Sequence, residues 1–296
     1  MILLLSVFEQ GLIYAVMALG VYITYKILDF PDLTVDGSFP MGAAITAVLI
    51  SKDFHPLITL PISFLAGALI GMLTGIIHVK LKVRDLLSGI IMMTALYTVN
   101  LRIVGKANLP IYNKPNIFDN ELVNGMFPEA LSAFSTVILI FIITMITKYL
   151  LDWYLHTKSG YMLRAVGDNE TIVTSLGIDK GFVKIVGLSI ANGLVSLSGC
   201  LFAQQQRYYD ASFGTGTVVI GLASVIIGTS LFQKVTVLRV TSSVVIGSIL
   251  YKACVALAIR MGLQSSDLKL VTAILFLLIL VAGMDRKRKV KTDARA

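Results

Sequence analysis

The 296-residue chain has little charge, little cysteine and little histidine. Only 14% of its residues are charged, whereas soluble domains contain about a quarter. Hydrophobic residues make up 56% of the chain, and the mean hydropathy is +0.84. This composition excludes an ordinary soluble domain and predicts an all-α polytopic membrane protein that forms one integrated domain, 1–296.

Further absences exclude several kinds of chemistry. Cys200 and Cys254 lie inside apolar segments without paired spacing, so we expect small buried thiols rather than a disulfide or a metal site. The three histidines are far apart and the carboxylates are isolated, so we expect neither a metal centre nor the acid–base pair of an intramembrane enzyme. No Gly-x-x-x-x-Gly-Lys-Ser/Thr phosphate loop occurs, so we expect no nucleotide or other cofactor on this chain.

Apolar segments long enough to cross a bilayer number about nine. They lie at roughly 5–28, 37–52, 56–79, 85–104, 132–152, 184–204, 216–232, 236–259 and 268–284. The first has no basic leader and no small-residue cleavage site, so we expect a retained helix rather than a signal peptide.

The net charge of +8 is distributed as expected for a membrane protein. Basic residues cluster at the ends of apolar segments, most densely in Lys80–Arg84, in the central loop and in the tail 285–296. This pattern predicts that these regions are cytoplasmic and that the N-terminus lies outside, and it favours membrane lipid over nucleic acid as a partner.

A polar interruption at 153–183 separates two apolar blocks. Asp168 and Asn169 are placed to cap a short helix running from Glu170 to Leu176, and Gly177 is placed to end it. Such an element suits the docking of a soluble partner, although an ordinary solvated loop fits the same residues.

The order of residues in this interruption decides between the two interpretations. Arg164-Ala-Val-Gly-Asp-Asn169, followed by Ser175-Leu-Gly-Ile-Asp179, resembles the cytoplasmic coupling segment of ABC importer permeases of the branched-chain amino acid and ribose class. The resemblance implies that this segment enters a cleft of a separate ATP-binding subunit. The implied coupling residues are Arg164, Ala165, Gly167, Asp168, Asn169, Gly177 and Ile178.

The same resemblance implies the assembly around the chain. It implies a BtuC-like type II importer architecture with a second permease copy, as a homodimer, in the cytoplasmic membrane of a bacterium. An extracellular substrate-binding lipoprotein would dock on the outer face, to which the loop 106–129 contributes.

Two polar breaks interrupt the apolar pattern, at Asp29–Pro40 and at Tyr208–Gly216. Proline cannot continue a helical hydrogen-bond ladder, so the first is predicted to be a broken helix. Aligning Asp32-Leu-Thr34 with Asp210-Ala-Ser212 predicts two inverted repeats, about 5–104 and about 184–284, joined by the connecting helix 132–152. Two ordinary interhelical loops are the alternative.

The fourth apolar segment is unusually polar. Its Ser88, Thr94, Tyr97 and Asn100 are predicted to share a face turned toward the protein interior, either lining a pathway or making interhelical hydrogen bonds. This segment is similar to the pore-lining helix of the same importer class, which favours the first alternative. The first break adds Asp32, Thr34, Asp36 and Ser38 as pathway candidates.

Two further features are assigned no role in transport chemistry. Gly67, Gly71 and Gly75 form a smooth face that allows another helix to approach closely. Lys252, inside the eighth segment, is expected to extend toward the membrane surface.

Together with the resemblance, these observations predict a non-enzymatic permease subunit of an ATP-driven importer that works by alternating access. The expected cargo is a small polar solute, with amino acids, including aromatic ones, as the class that the resemblance implies. The alternative is an ion-coupled secondary transporter that uses Asp32 or Asp36 as its ion site. A passive channel would leave the central segment unexplained.

Overall fold

Apolar runs of about twenty residues fold into helices because, away from water, each segment must pair its own backbone polar groups. The computed structural model describes residues 2–120, 132–232 and 238–261, together with Leu270, Ala273, Ile274 and Leu277. The helices in these ranges are α1 (Ile2–Tyr22), α2 (Val35–Ser51), α3 (Thr59–Val79), α4 (Asp85–Val104), α5 (Ser132–Leu155), α6 (Lys158–Asp168), α7 (Glu170–Ser175), α8 (Lys180–Gln206), α9 (Thr217–Leu231) and α10 (Val240–Arg260). Two short strands, β1 (Asn108–Pro110) and β2 (Tyr208–Asp210), pair antiparallel.

In the described ranges, seven helical stretches are long and apolar enough to cross a membrane, and the shorter apolar α2 accompanies them. The chain is therefore a multi-pass membrane protein. Helices α8 and α10 were predicted to begin at 184 and 236 and begin at Lys180 and Val240, and α1 was predicted to reach 28 but gives way to a π-helical turn after Tyr22. The ninth predicted segment, 268–284, lies outside the described residues apart from four single positions, as does the tail 285–296, so the count of nine stays a prediction.

Helix α8 lies at the centre and packs against α1, α2 and α3. Its contact with α3 runs along the predicted glycine face, which is confirmed. A Cβ atom at Gly67 would lie 2.3 Å from the carbonyl oxygen of Asn192, and one at Gly71 would lie 2.1 Å from that of Leu188. Only glycine allows the two backbones to approach this closely.

The ends of the helices define two faces. The strand face carries β1 and β2, which continue from α4 and α8. The hairpin face carries α6 and α7, and there Gly167 contacts Ile27 at the end of α1 while Gly181 contacts Val79 at the end of α3. The loop predicted at 106–129 begins with β1 on the strand face, and its residues 121–131 lie outside the described ranges.

The first predicted break is present. Helix α1 ends in a π-helical turn, Ile23–Ile27, and the chain then runs without regular structure until α2 begins at Val35. Pro40 lies inside α2, so the carbonyl group of Asp36 loses the N–H it would receive in a regular helix. Gly214 packs against this carbonyl group, since a Cβ atom there would lie 1.8 Å from the oxygen.

The expectation for Lys252 is wrong. Its ammonium group lies 4.0 Å from the centroid of the Tyr14 ring and 3.3 Å from Oε1 of Gln10, both on α1. The lysine therefore joins α10 to α1 instead of extending toward the surface, because a ring face and an amide oxygen compensate its charge locally.

Candidate functional site

Helices α6 and α7 form a short hairpin, Thr157–Gly177, on the hairpin face. Thr157 caps α6, with its hydroxyl accepting the N–H of Gly160 at 3.4 Å. Between the helices, Oδ1 of Asn169 accepts the N–H of Thr171 at 3.0 Å, which confirms the predicted cap of α7. Gly177 has a φ of +73°, so it ends α7 in the left-handed conformation that glycine adopts readily. Asp168 is the last residue of α6 and makes no cap.

The inner side of the hairpin packs closely on the membrane helices. A Cβ atom on Gly167 would lie 1.6 Å from the carbonyl oxygen of Ile27, so α6 rests directly on the π-helical turn of α1. Leu163 is fully buried and fills the space above Gly187 of α8. These contacts fix the position of the hairpin relative to two central helices.

The outer side of the hairpin presents polar groups. Arg164, Asp168 and Asn169 are exposed, and Leu176 exposes 65% of its surface. Of the remaining predicted coupling residues, Ala165, Gly167 and Ile178 are half-buried and Gly177 is exposed. The structure thus brings six of the seven predicted coupling residues into the hairpin, with Ile178 directly after it, and divides them between an inner and an outer side.

Glu170 attaches the hairpin to the start of α8. Its carboxylate forms ion pairs with Lys180 at 2.8 Å and with Lys184. The hydrogen bonds from these two lysines lower the pKa of Glu170 to about 2. Glu170 is therefore ionised at neutral pH and holds α7 against α8 from the outside.

The first break forms a buried polar network. Oδ1 of Asp32 accepts the N–H of Thr34 at 2.8 Å, and Oδ2 accepts the side-chain amide of Asn192 at 2.8 Å. Ser38 donates to Oδ1 of the same Asn192 at 2.6 Å, and the Thr34 hydroxyl lies 3.2 Å from that of Thr74. The predicted residues Asp32, Thr34 and Ser38 therefore come together, with their polar groups directed at protein neighbours.

Asp36 joins the two breaks. Its Oδ1 accepts both the N–H of Val218 and the hydroxyl of Thr217, each at 2.8 Å. Its Oδ2 accepts the N–H of Gly216 at 3.2 Å. The carboxylate thus caps the N-terminus of α9 from the first turn of α2, where the dipoles of both helices favour a negative charge.

The face predicted for α4 is wrong. Ser88 and Asn100 are buried, and Asn100 donates to the carbonyl oxygen of Gly37 at 3.2 Å, whereas Thr94 is exposed and Tyr97 is 57% exposed. Residues 88 and 97 are nine positions apart, which at about 100° per residue places them on opposite sides of a helix. The polar residues of α4 therefore divide between the contact with α2 and the open side.

Sequence reasoning missed two connecting residues. Asn192 links Asp32 to Ser38, and its signal was an amide in the middle of an apolar span. Asp152 binds Lys148 at 3.0 Å, Arg239 at 3.2 Å and the Thr241 hydroxyl at 2.6 Å, so it ties α5 to α10. The spacing of four residues between Lys148 and Asp152 was the signal for this second connection.

Metal-ligating residues are not grouped in the part of the chain that the structure describes, where no set of three or more His, Cys, Asp and Glu residues is found. Cys200 is buried, as predicted. Cys254 is exposed on α10, so the prediction that it is buried is wrong.

Comparison with known proteins agrees with this architecture. The chain is 43% identical over 292 residues to the tyrosine transport system permease protein of Clostridioides difficile, covering 99% of this chain and 95% of that protein. It is 30% identical to an uncharacterized protein of Rickettsia prowazekii, over 94% of this chain and 96% of that protein. It is 26% identical to the ribose import permease protein of Escherichia coli K12, over 76% of this chain and 68% of that protein.

No solved structure matches the chain. Residues 3–282 match the family described as branched-chain amino acid transport system / permease component. Because this match covers nearly the whole chain, the protein belongs to that permease family.

Proposed function

We propose that the chain is the membrane-spanning subunit of an ATP-driven importer and that the α6–α7 hairpin is its coupling segment. The observation that carries this proposal is the contact of Gly167 with the carbonyl group of Ile27. A force applied to the exposed side of the hairpin acts through this backbone contact on the end of α1, with no flexible side chain between them. The first break begins at the next residue of the chain, so the force reaches the polar network around Asp32.

The hairpin face is assigned to the cytoplasm. It carries the basic loop Lys80–Arg84 together with Lys158, Arg164 and Lys180, and cytoplasmic loops are enriched in such residues. A membrane-impermeant maleimide tests this orientation on Lys80→Cys in a chain with Cys200→Ala and Cys254→Ala. Labelling should require permeabilised cells, and labelling of intact cells would reverse the assignment.

We propose three protein partners for the chain. A separate ATP-binding subunit would engage the outer side of the hairpin through Arg164, Asp168 and Asn169. An extracellular substrate-binding lipoprotein would dock on the strand face. A second copy of the chain would cover the open side of α4, where Thr94 and Tyr97 are exposed and would line the pathway between the copies.

The proposed cargo is an amino acid, with tyrosine as the first solute to test. The relative from Clostridioides difficile carries tyrosine in its name and covers nearly all of this chain. Uptake of radiolabelled tyrosine should be reduced by unlabelled tyrosine, phenylalanine or tryptophan, and ribose should not compete. Uptake of radiolabelled ribose through this chain, with no uptake of radiolabelled tyrosine, would contradict this choice of cargo.

Arg164→Ala tests the coupling role of the hairpin. The side chain is exposed and makes no ion pair within the described residues, so its removal should leave the folded bundle intact. ATP-dependent uptake should fall at least tenfold while the ATP-binding subunit continues to hydrolyse ATP. Lys80→Ala, an exposed cation on the same face outside the hairpin, should retain uptake. Unchanged uptake in the Arg164 variant would remove the hairpin from the mechanism.

Ion-coupled transport remains the second candidate because of Asp32. Its buried carboxylate contacts an amide and a backbone N–H but no cation within the described residues. An isolated intramembrane carboxylate is a typical ion site in secondary transporters. Uptake that persists without the ATP-binding subunit and stops when an ionophore dissipates the ion gradient would favour this candidate.

A further inference from the structure

A second polar feature of the hairpin face is a cleft of about 490 Å³. One wall is the loop between α3 and α4, which contributes Lys82 and Arg84. The other wall is the start of α8, with Lys180 and Lys184. Four basic side chains from two separate segments therefore converge on one concave surface.

The charge in the cleft is only partly compensated. Glu170 pairs with Lys180 and Lys184 at one end. Asp179 accepts the N–H of Gly181 at 2.8 Å and caps α8, so this carboxylate is engaged in the helix N-terminus. In the described ranges, Lys82 and Arg84 take part in no ion pair, and they give the opposite wall an unbalanced positive charge.

The loop that carries these cations is ordered. Nδ1 of His78 donates to the carbonyl oxygen of Val83 at 2.9 Å, which closes the loop onto the end of α3. Lys82 holds a left-handed backbone conformation, with a φ of +55°. A loop fixed in this way presents its two cations at a defined spacing, so a bound anion loses little free energy to ordering of the loop.

Exposed apolar side chains adjoin the residues that line the cleft. Leu81, which precedes Lys82 in the chain, is 68% exposed, and Phe182, which follows Gly181 of the cleft lining, is 65% exposed. Large exposed apolar groups interleaved with lysine and arginine are typical of surfaces at the boundary between headgroups and acyl chains. This pattern favours a lipid over a soluble protein as the occupant of the cleft.

We propose that the cleft binds the phosphate headgroup of an anionic phospholipid of the cytoplasmic leaflet, with Lys82 and Arg84 as the principal contacts. The inference rests on the orientation proposed above, which the labelling of position 80 tests separately. Lys180 and Lys184 face the same space, so the bound phosphate lies beside the ion pairs that hold α7 to α8.

Native mass spectrometry of the full-length chain, purified after co-expression with its ATP-binding subunit, tests this site with phosphatidylglycerol and phosphatidylcholine as probes. The double variant Lys82→Gln/Arg84→Gln should bind phosphatidylglycerol about 25-fold more weakly, at about fivefold per basic residue near a membrane surface. The matched control is Lys52→Gln/Lys106→Gln, which removes two exposed cations on the strand face and should bind like the wild type. If the double variant is not folded, Lys82→Gln alone replaces it, with an expected loss of about fivefold.

Each other outcome overturns the assignment. Equal binding of the two lipids, or an equal loss in the control, would show that no headgroup site exists at the cleft. Displacement of phosphatidylglycerol by an equal concentration of inorganic phosphate would assign the cleft to the free anion. Loss of the co-purifying ATP-binding subunit with unchanged lipid binding would make the cleft a protein contact. None of these readouts requires transport, so failure of the importer proposal is recognised independently, in the Arg164→Ala experiment.

Discussion

The break between α1 and α2 and the break between α8 and α9 both contain an aspartate that accepts the N–H two residues further on. Asp32 accepts the N–H of Thr34 at 2.8 Å, and Asp210 accepts that of Ser212 at 2.7 Å. The first carboxylate is buried, whereas the second is half-buried at the strand face, where Asn108 also donates to it. The same local turn is therefore used in two different environments.

The environment decides what else each break requires. In the buried break, the second oxygen of Asp32 needs a partner in place of water, and Asn192 of α8 supplies it. In the other break, water reaches the turn and rings provide the packing. Phe213 lies 5.0 Å from the ring of Phe202 and 5.1 Å from that of Tyr208. Polar contacts fix the first break, and aromatic packing fixes the second.

The largest expected effect comes from Asn192→Ala, which removes the donor to Asp32 and the acceptor of Ser38. A buried carboxylate oxygen left without its partner should lower the free energy of unfolding by about 3 kcal/mol. Reversible unfolding in mixed micelles measures this loss. Ser198→Ala is the matched control, since Ser198 is buried on the same helix and makes one hydrogen bond, to the carbonyl of Ile13. This control should lower the free energy of unfolding by about 1 kcal/mol. Equal losses in the two variants would contradict the inference that the buried break depends strongly on its polar contacts.

A smaller loss is expected from Asp36→Ala, because the N–H groups at the start of α9 can be reached by water once the side chain is gone. Losing this cap should lower the free energy of unfolding by about 2 kcal/mol. Asp36→Asn keeps an acceptor oxygen and should lose less than half as much. If both variants unfold like the wild type, the connection between the breaks contributes nothing to stability.

The smallest effect is expected from Asp210→Ala in the accessible turn. Water can replace the carboxylate there, so the free energy of unfolding should fall by at most about 1 kcal/mol. Measured in the same micelles, a loss as large as that of Asn192→Ala would show that the second break is as dependent on its polar groups as the first.

The long helices were predictable because hydropathy depends on local composition. The glycine face of α3, the cap at Asn169 and the stop at Gly177 were predictable for a similar reason, since each depends on neighbours within one or two turns. The inverted repeat stays a prediction, although the matched turns at Asp32 and Asp210 agree with it.

Contacts between distant parts of the chain were not predictable. Asn192 lies 160 residues from Asp32, and no local pattern pairs the two. The same is true of Lys252. Hydropathy placed this residue inside an apolar segment, but it could not identify the contacts with Tyr14 and Gln10 on α1. For α4, the prediction used the spacing of the polar residues but not the rotation of about 100° between successive residues of a helix. The polar residues were therefore placed on one side of α4, although they occupy two sides.

The glycine contact between α3 and α8 restricts how this permease can change shape. Where backbone meets backbone, no side chain can adopt another rotamer to accommodate movement, and a rotation of α3 about its axis would bring bulky residues such as Leu69 or Leu73 toward the neighbouring helix. These two helices must therefore travel together as a single rigid body. Hinge motion is left to the elements that surround this pair, among them α4, which packs mainly against α2.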